Sequence, residues 1–351
     1  MKLTPSCRNV NTVQAALALS LVPGVGPAAY RELVERYGSA KAAWCARPIG
    51  MAERDARRLA DGAALRATAC GAVAISQEDA TYPAPLLELT AAPPVLFAIG
   101  DLTALSGLCV AIVGTRSATG YGERVTRELA GALARAGATI VSGMARGIDA
   151  AAHWAALEAG GKTIAVLGTG VDIAYPAAHR ELHRLIAERG LLLSEELPGD
   201  RANSGSFPKR NRVIAALARA TIVVEAPVKS GALITANHAL ELGRTVAAVP
   251  GAIDSPQSAG SNELLRDGAG VIASVADAVA LVGLTRPVRR EPHFGTGAES
   301  AVWAALSHGA SDIESLTSRA ALPARECLAA VTALELSGAI ECALTGEIRR
   351  R

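Results

Sequence analysis

A chain of 351 residues, half of them hydrophobic, holds enough apolar material for two or three domains with buried cores, which excludes a disordered polymer. Its 35 Lys and Arg against 33 Asp and Glu leave a net charge of +2, so it is no bulk polycation, and any polyanion site has to be assembled by clustering. The 6 Cys (Cys7, Cys45, Cys70, Cys109, Cys327, Cys342) form no C-x-x-C pair and have no His at ligand spacing: no metal site is expected, and reduced thiols in a soluble, cytoplasmic protein fit.

The run VQAALALSLV (13–22) resembles the apolar part of a secretion signal. Polar residues lead into it, however, PGVG follows, and an amphipathic helix comes directly after, so no cleaved leader is expected. No later apolar run is long enough and free enough of Gly, Pro and charge to span a bilayer. Residues 12–37 read as a helical hairpin, with Pro27 at a first helical position and Gly38 as the stop. LVPGVG matches the turn of helix-hairpin-helix modules, where glycines let backbone N–H groups approach a phosphate. Because Glu32 and Glu35 offset Arg31 and Arg36, a plain helix connection without a ligand stays equally open. Helical patterning continues to about residue 69, and 1–70 is taken as a helical helix-hairpin-helix/SAM-like domain.

From residue 71 the texture changes. AVAIS and PPVLFAIG bracket a Pro-rich lead-in, and βα units then repeat to about 285. Strands are expected at 109–113, 139–142, 163–167, 191–194, 220–225 and 245–249, with a short one near 270–272. Most lack polar alternation, as parallel strands covered on both faces do. Helical patterns such as ERVTRELAGALARAG and ANHALELG lie between them, which predicts an α/β fold for 71–285: a Rossmann-like, doubly wound parallel sheet. A linker is expected at 286–297. Beyond it, 298–351 offers three helices, the second capped by Ser311 with Glu314 three residues on, and a terminal β-ribbon, together a winged helix. Its third helix carries Arg325 as the sole cation against Glu326 and Glu335, which favours protein contacts or a weak duplex contact over sequence-specific reading.

In an open parallel sheet, ligands bind outside the carboxyl ends of the strands. Nearly every unusual stretch here follows a strand: VGTRSATGYG, SGMARGIDAAAH, LGTGVDIAYP, SEELPGDRANSGSFPKRN, EAPVKSG and VPGAIDSPQSAGSN. Six loops therefore share one rim. Glycines such as Gly114, Gly143, Gly168 and Gly231 bare backbone N–H groups there, and the following helices add the positive ends of their dipoles. Arg116, Arg146, Lys209, Arg210, Arg212 and Lys229 supply cations, and Ser230 joins Lys229 in its loop. The rim is wider than one mononucleotide needs, which points to an extended anion. In FPKRNRVIAALA, Phe207 can offer a flat face to a base while Lys209, Arg210 and Arg212 engage phosphates and Asn211 bonds backbone or base edge. The competing reading packs Phe207 inward and pairs Arg212 with Glu225 or Glu195.

Other chemistries fit less well. GTRSATGYG is not G-x-G-x-x-G, GTGVDI lacks the last glycine, and no acidic residue stands where a ribose would want one, so no nicotinamide cofactor is expected. Asp149 and His153 lie four apart on one helix, as do His179 and His183, but neither pair joins a nucleophile or a metal ligand. A loop-bracing role suits Asp149, and His179 and His183 read as surface residues. The P-G-G-x-G-T-x-x-E loop of phosphoribohydrolases, nucleotide-processing enzymes on a similar sheet, is absent, and a ligand-sensing transcription regulator using the winged helix is a weaker third possibility.

Across residues 72–275 the motifs YP, PPVLFAIGD, VAIVGTR, SGMARGIDAAAH, TIAVLGTGVDIAYP, SEELP, FPKRNRVIAAL, VVEA…SGALITA, VPG and SAGSNELLRDGA follow one another in an order that resembles the DNA-processing protein DprA (Smf) family. The resemblance implies a non-enzymatic, cofactor-free binder of single-stranded DNA that protects incoming strands in natural transformation and loads the RecA recombinase on them. It also implies a homodimer formed through the Rossmann-like domain. By motif, the DNA-binding arginine of GTR falls on Arg116, the aromatic and cations of FPKRN on Phe207, Lys209, Arg210 and Arg212, and the EA…SG loop on Lys229 and Ser230. Met144 and Ala145 are read as loop positions free to vary.

Overall fold

The structure, a computed structural model, describes residues 10–46, 53–203, 205–284, 294–309, 311–343 and 346–350. It forms two compact units, 1–287 and 288–351. Cys7 and most of the linker expected at 286–297 lie outside the described residues. No helix among the described residues is long and apolar enough to cross a membrane.

The first unit is organised by a nine-stranded sheet. Its strands are β1 (Val73–Ser76), β2 (Val95–Gly100), β3 (Cys109–Val113), β4 (Thr139–Ser142), β5 (Thr163–Leu167), β6 (Leu191–Ser194), β7 (Ala220–Val223), β8 (Thr245–Ala248) and β9 (Gly270–Val271), in the order β1-β2-β6-β5-β4-β3-β7-β8-β9. β3 to β9 run parallel, as the apolar runs predict. AVAIS and PPVLFAIG add two antiparallel strands at the β6 edge. The segment joining them carries Pro83, Pro85, Pro93 and Pro94 and makes only a short 3-10 turn, Ala84–Glu88, so no crossover helix forms and the chain returns antiparallel.

Strand side chains alternate between the two faces. Val110 and Ile112 point into a core with α5 (Gly120–Arg135), α6 (Ile148–Glu158) and α11 (Val275–Leu281). Ala111 and Val113 point into the opposite core, with α8 (Ser206–Leu217) and α9 (Gly231–Glu241). α7 (Arg180–Arg189) connects β5 to β6, and α10 (Ala259–Arg266) connects β8 to β9. Burial pushes the Cys109 thiol up to about 12, which keeps it protonated and unreactive at neutral pH.

Four helices precede the sheet: α1 (Thr12–Ser20), α2 (Pro27–Tyr37), α3 (Ala40–Cys45) and α4 (Glu53–Ala69). Pro27 opens α2, and Gly38, at φ +84°, closes it in the left-handed region. Leu17 and Leu19 of α1 share a core with Phe97 of β2 and Leu192 of β6, so these helices pack on the end of the sheet. The Arg31 guanidinium adds a polar tie by donating to the Leu87 and Leu89 carbonyls. Pro23, Gly24 and Gly26 of the hairpin turn are exposed.

The second unit contains α12 (Gly297–Ala305), α13 (Ile313–Ala320), α14 (Ala324–Leu336) and an antiparallel ribbon, β10 (Ile340–Cys342) with β11 (Ile348–Arg350). Val302, Trp303, Leu316, Val331 and Ile348 fill its core. The cap of α13 is one residue later than expected. Ser311 exchanges both backbone hydrogen bonds with Ile348, at 2.9 and 2.8 Å, and acts as a third strand position. Asp312 caps instead, its side chain accepting from the Ser315 amide at 2.8 Å. Replacing Asp312 with Ala is expected to destabilise this helix, read as faster hydrogen exchange at its first turn in the full chain. Ser311→Ala should leave that exchange unchanged.

Candidate nucleic-acid interface

β3 lies between β4 and β7, so the chain leaves it in both directions and a crevice opens at the carboxyl ends of β3 and β7. All six unusual loops follow parallel strands and emerge on this edge. There a cavity of about 510 Å³ is lined by Gly114 and Arg116 after β3, Asp149 at the start of α6, Phe207 and Asn211 of α8, and Ser230 at the start of α9. Beside it lies a notch of about 40 Å³ shared by Arg116, Arg146, Tyr175 and Phe207. Residues from half the chain thus meet because the winding puts their loops side by side.

The floor is built by two buried groups of opposite charge, Arg210 and Asp149. Arg210 is only 5% exposed, and its Nη1 donates to the Gly143 carbonyl at 2.7 Å and to the Val166 carbonyl, while Nε reaches Asn211 Oδ1 at 3.3 Å. Asp149, also buried, accepts from the amides of Gly143 at 3.2 Å and Ala145 at 3.3 Å. Burial pushes the Asp149 carboxyl up and draws the Arg210 guanidinium down to about 10, while each opposes the other's shift through its opposite charge. At neutral pH Arg210 therefore remains a cation. The loop after β4 is held from both sides, its carbonyl by Arg210 and its amides by Asp149. Gly143 is required by this close approach, since a Cβ there would lie 2.5 Å from Arg210 Cζ.

Above this floor stands Phe207, half-buried. The Arg116 guanidinium lies over its ring at 5.4 Å from the centroid, and the Tyr175 ring lies 5.2 Å away, tilted by 35°. Gly168 passes beneath: a Cβ there would come 3.0 Å from Phe207 Cδ1. Asn211 donates to the Gly231 carbonyl at 3.1 Å and ties α8 to α9. Ser230 caps α9, and Lys229 before it is exposed at φ +62°. Arg116 and Arg146 are also exposed.

The cations of FPKRN diverge. Arg210 turns inward, as described. Arg212, almost buried, pairs with Glu195 at 2.5 Å, the partner that the inward-packing reading offered, and does not line the cavity. Lys209 is half-exposed and held by Glu196 at 3.1 Å and Glu195 at 3.5 Å. Glu225 is buried and accepts from the Thr119 amide at 2.9 Å and hydroxyl at 2.5 Å, which occupies it at the start of α5.

Three positions differ from expectation. Met144 is fully buried at φ +56°, so this position is packed on every side and is not free to vary. His179 and His183 are half-buried: their Nδ1 and Nε2 meet the Met144 and Val171 carbonyls at 3.0 and 2.9 Å, binding the loops after β4 and β5 to α7. Tyr175 went unread in sequence because a YP dipeptide carries no periodic signal. His153 is fully buried, with Nδ1 2.7 Å from Thr163 Oγ1; that hydroxyl donates to the Ile140 carbonyl, so the imidazole must donate from Nδ1. Burial, with Arg210 and His179 nearby, draws its pKa down to about 3.

The family model for DNA recombination-mediator protein A matches residues 73–283, and that for the DprA winged helix domain matches residues 288–343. Protein Smf of Synechocystis sp. is 40% identical over 287 residues, covering 76% of this chain and 72% of its own length. DNA processing protein DprA of Streptococcus pneumoniae is 45% identical over 206 residues, 58% of this chain and 71% of its own. An X-ray structure of DprA from the same organism superposes with a TM-score of 0.68 at 35% identity, covering 77% of this chain and 98% of that one. DNA processing protein A from Helicobacter pylori, whose structure is described as giving insight into a unique single-stranded DNA binding mode, superposes with a TM-score of 0.55 at 34% identity over 59% of this chain and 94% of that one.

Two outcomes follow from the floor. Gly143→Ala should destabilise the first unit by roughly 1–3 kcal/mol in denaturant melts, because Arg210 cannot leave its carbonyls. Since His153 titrates near 6.5 unfolded but near 3 folded, the unfolded state binds the extra proton between those values, and stability must fall as pH drops through that window. His153→Gln should flatten that part of the acid profile in melts between pH 7 and 3.

Proposed function

The chain belongs to the DNA recombination-mediator protein A family, and on that premise we propose that the cavity at the sheet's switch point binds single-stranded DNA without making or breaking a bond. One observation carries the reading: the Arg116 guanidinium lies over the Phe207 ring at the mouth of the cavity, which joins an aromatic face for a base to a fixed charge for a phosphate. Loop amides of Gly114 and Gly231 and the amino-terminal end of α9 add neutral donors around it. Arg146, Lys229 and Ser230 extend the positive rim, Gly168 gives Phe207 its seat, and Arg210 and Asn211 act from beneath by positioning the loops. The single-stranded DNA binding named for the Helicobacter pylori relative supports the same assignment.

We infer further that the protein acts in the cytoplasm as a homodimer, protects incoming strands during natural transformation, and delivers them to the RecA recombinase. The family's description as a recombination mediator suits that role. Lys209 and Arg212 take a different place from the other cations. Both are engaged by carboxylates, so a phosphate must compete with Glu196 and Glu195 for Lys209, while Arg212 stays with Glu195.

A gel-shift titration of single-stranded and duplex oligonucleotides at two salt concentrations tests the reading. Single strands should bind more tightly, with affinity that falls steeply with salt. Arg116→Ala should weaken binding and reduce the salt slope by about 0.7, the increment for one phosphate contact on a single strand. Phe207→Ala should weaken it roughly five- to hundredfold at an unchanged slope, because stacking releases no counterion. Glu196→Gln should tighten binding by removing the nearer of the two carboxylates that hold Lys209. Equal affinity for duplex would count against a single-strand binder, and release of free base from a nucleoside monophosphate would favour a nucleotide-processing enzyme instead.

A further inference from the structure

Phe207 is not the most accessible ring on the rim. Gly168 lies under it, Arg116 covers a face, and it is half-buried. Tyr175 is 48% exposed, and among the described residues its hydroxyl has no hydrogen-bond partner. Its place on the rim is held by the ring contact with Phe207 and not by a hydrogen bond from the hydroxyl. With centroids 5.2 Å apart, Phe207 and Tyr175 leave no room for a base between them, which would need about 7 Å, twice the van der Waals contact distance. The two rings make one bent ledge instead, with separate places for separate bases.

The notch beside this ledge repeats the chemistry of the main cavity on a smaller scale. It is shared by two rings and three guanidinium groups, Arg116, Arg146 and Arg210, and no carboxylate lines it among the described residues. Its volume of about 40 Å³ is too small for a base and suits the oxygens of a phosphate. Arg146 is exposed on its rim and, among the described residues, has no ion-pair partner, in contrast to Lys209 and Arg212. A single strand carries its bases on a phosphate backbone, and here both rings border one cationic notch, so two stacking faces stand beside a place for the phosphate that joins two bases.

We propose that Tyr175 is a second base-stacking platform and Arg146 the phosphate contact that goes with it, so that the rim takes two adjacent nucleotides of a single strand, the second outside the main cavity. This rests on the single-strand reading given above. The stacking requires a ring and not a hydroxyl, and the notch requires a cation.

The direct test uses the unmodified protein. A short oligothymidine carrying one 5-iodouracil is photocrosslinked, and the adduct is mapped by mass spectrometry while binding is titrated for Tyr175→Phe, Tyr175→Leu and Arg146→Ala. An adduct on Tyr175 is expected, with full affinity for Tyr175→Phe. Tyr175→Leu, which still fills the space beside Phe207, should bind roughly five- to hundredfold more weakly at an unchanged salt slope. Arg146→Ala should lose about 0.7 of the slope. If the wild type binds but crosslinks elsewhere, or if Tyr175→Leu binds as the wild type does while Phe207→Ala is impaired, the second platform is wrong and the main cavity stands. Failure of the wild type to bind single strands would remove both.

Discussion

The buried guanidinium of Arg210 is the constraint from which the rest of the rim takes its shape. A charge moved out of water costs several kcal/mol unless paired and hydrogen-bonded. Here it is offset by the carbonyls of Gly143 and Val166, by Asn211, and by the opposite charge of Asp149. These partners belong to the loop after β4, to β5 and to two helices. One side chain therefore fixes the spacing of elements that are distant in sequence, and it does so directly beneath the cavity. The absence of a side chain at Gly143 is part of the same arrangement, because the guanidinium fills the space a Cβ would need.

Helical periodicity then sorts the residues of FPKRN. Phe207 and Asn211, four apart, share the face of α8 that lines the cavity. Lys209 and Arg212, three apart, share another face and meet Glu195 and Glu196. Arg210 falls on the buried side with Val213 and Leu217. Three consecutive-looking cations thus have three settings: one holds the scaffold, one is locked in an ion pair, and one is half-exposed and shared with carboxylates. Charge available to a ligand comes chiefly from Arg116, Arg146 and Lys229, which sit on loops and not on the helix.

Much of this was legible in the sequence, for identifiable reasons. The parallel strands read clearly because burial on both faces demands uninterrupted apolar runs such as CVAIV and TIAVL. The shared rim followed from the winding rule once those strands were placed. Direction was not legible for β1 and β2, because short apolar runs such as VLFAIG read the same whichever way they pair. Nor was the inward turn of Arg210 or the occupation of Arg212, since a cation's partner depends on which loop faces it in space. Met144 looked free because it sits between glycines in a loop, yet the loop itself is packed under α7. The cap at Asp312 was displaced by a strand pairing with Ile348, a contact no local pattern announces.

Hydrogen exchange with and without a short oligothymidine tests most directly where the strand lies. Protection is predicted over the carboxyl-edge loops, at 114–119, 143–147, 168–175 and 205–211, and at the first turn of α9. Protection confined to the exposed hairpin turn near Gly24 or to the second unit, with those loops unchanged, would contradict the account.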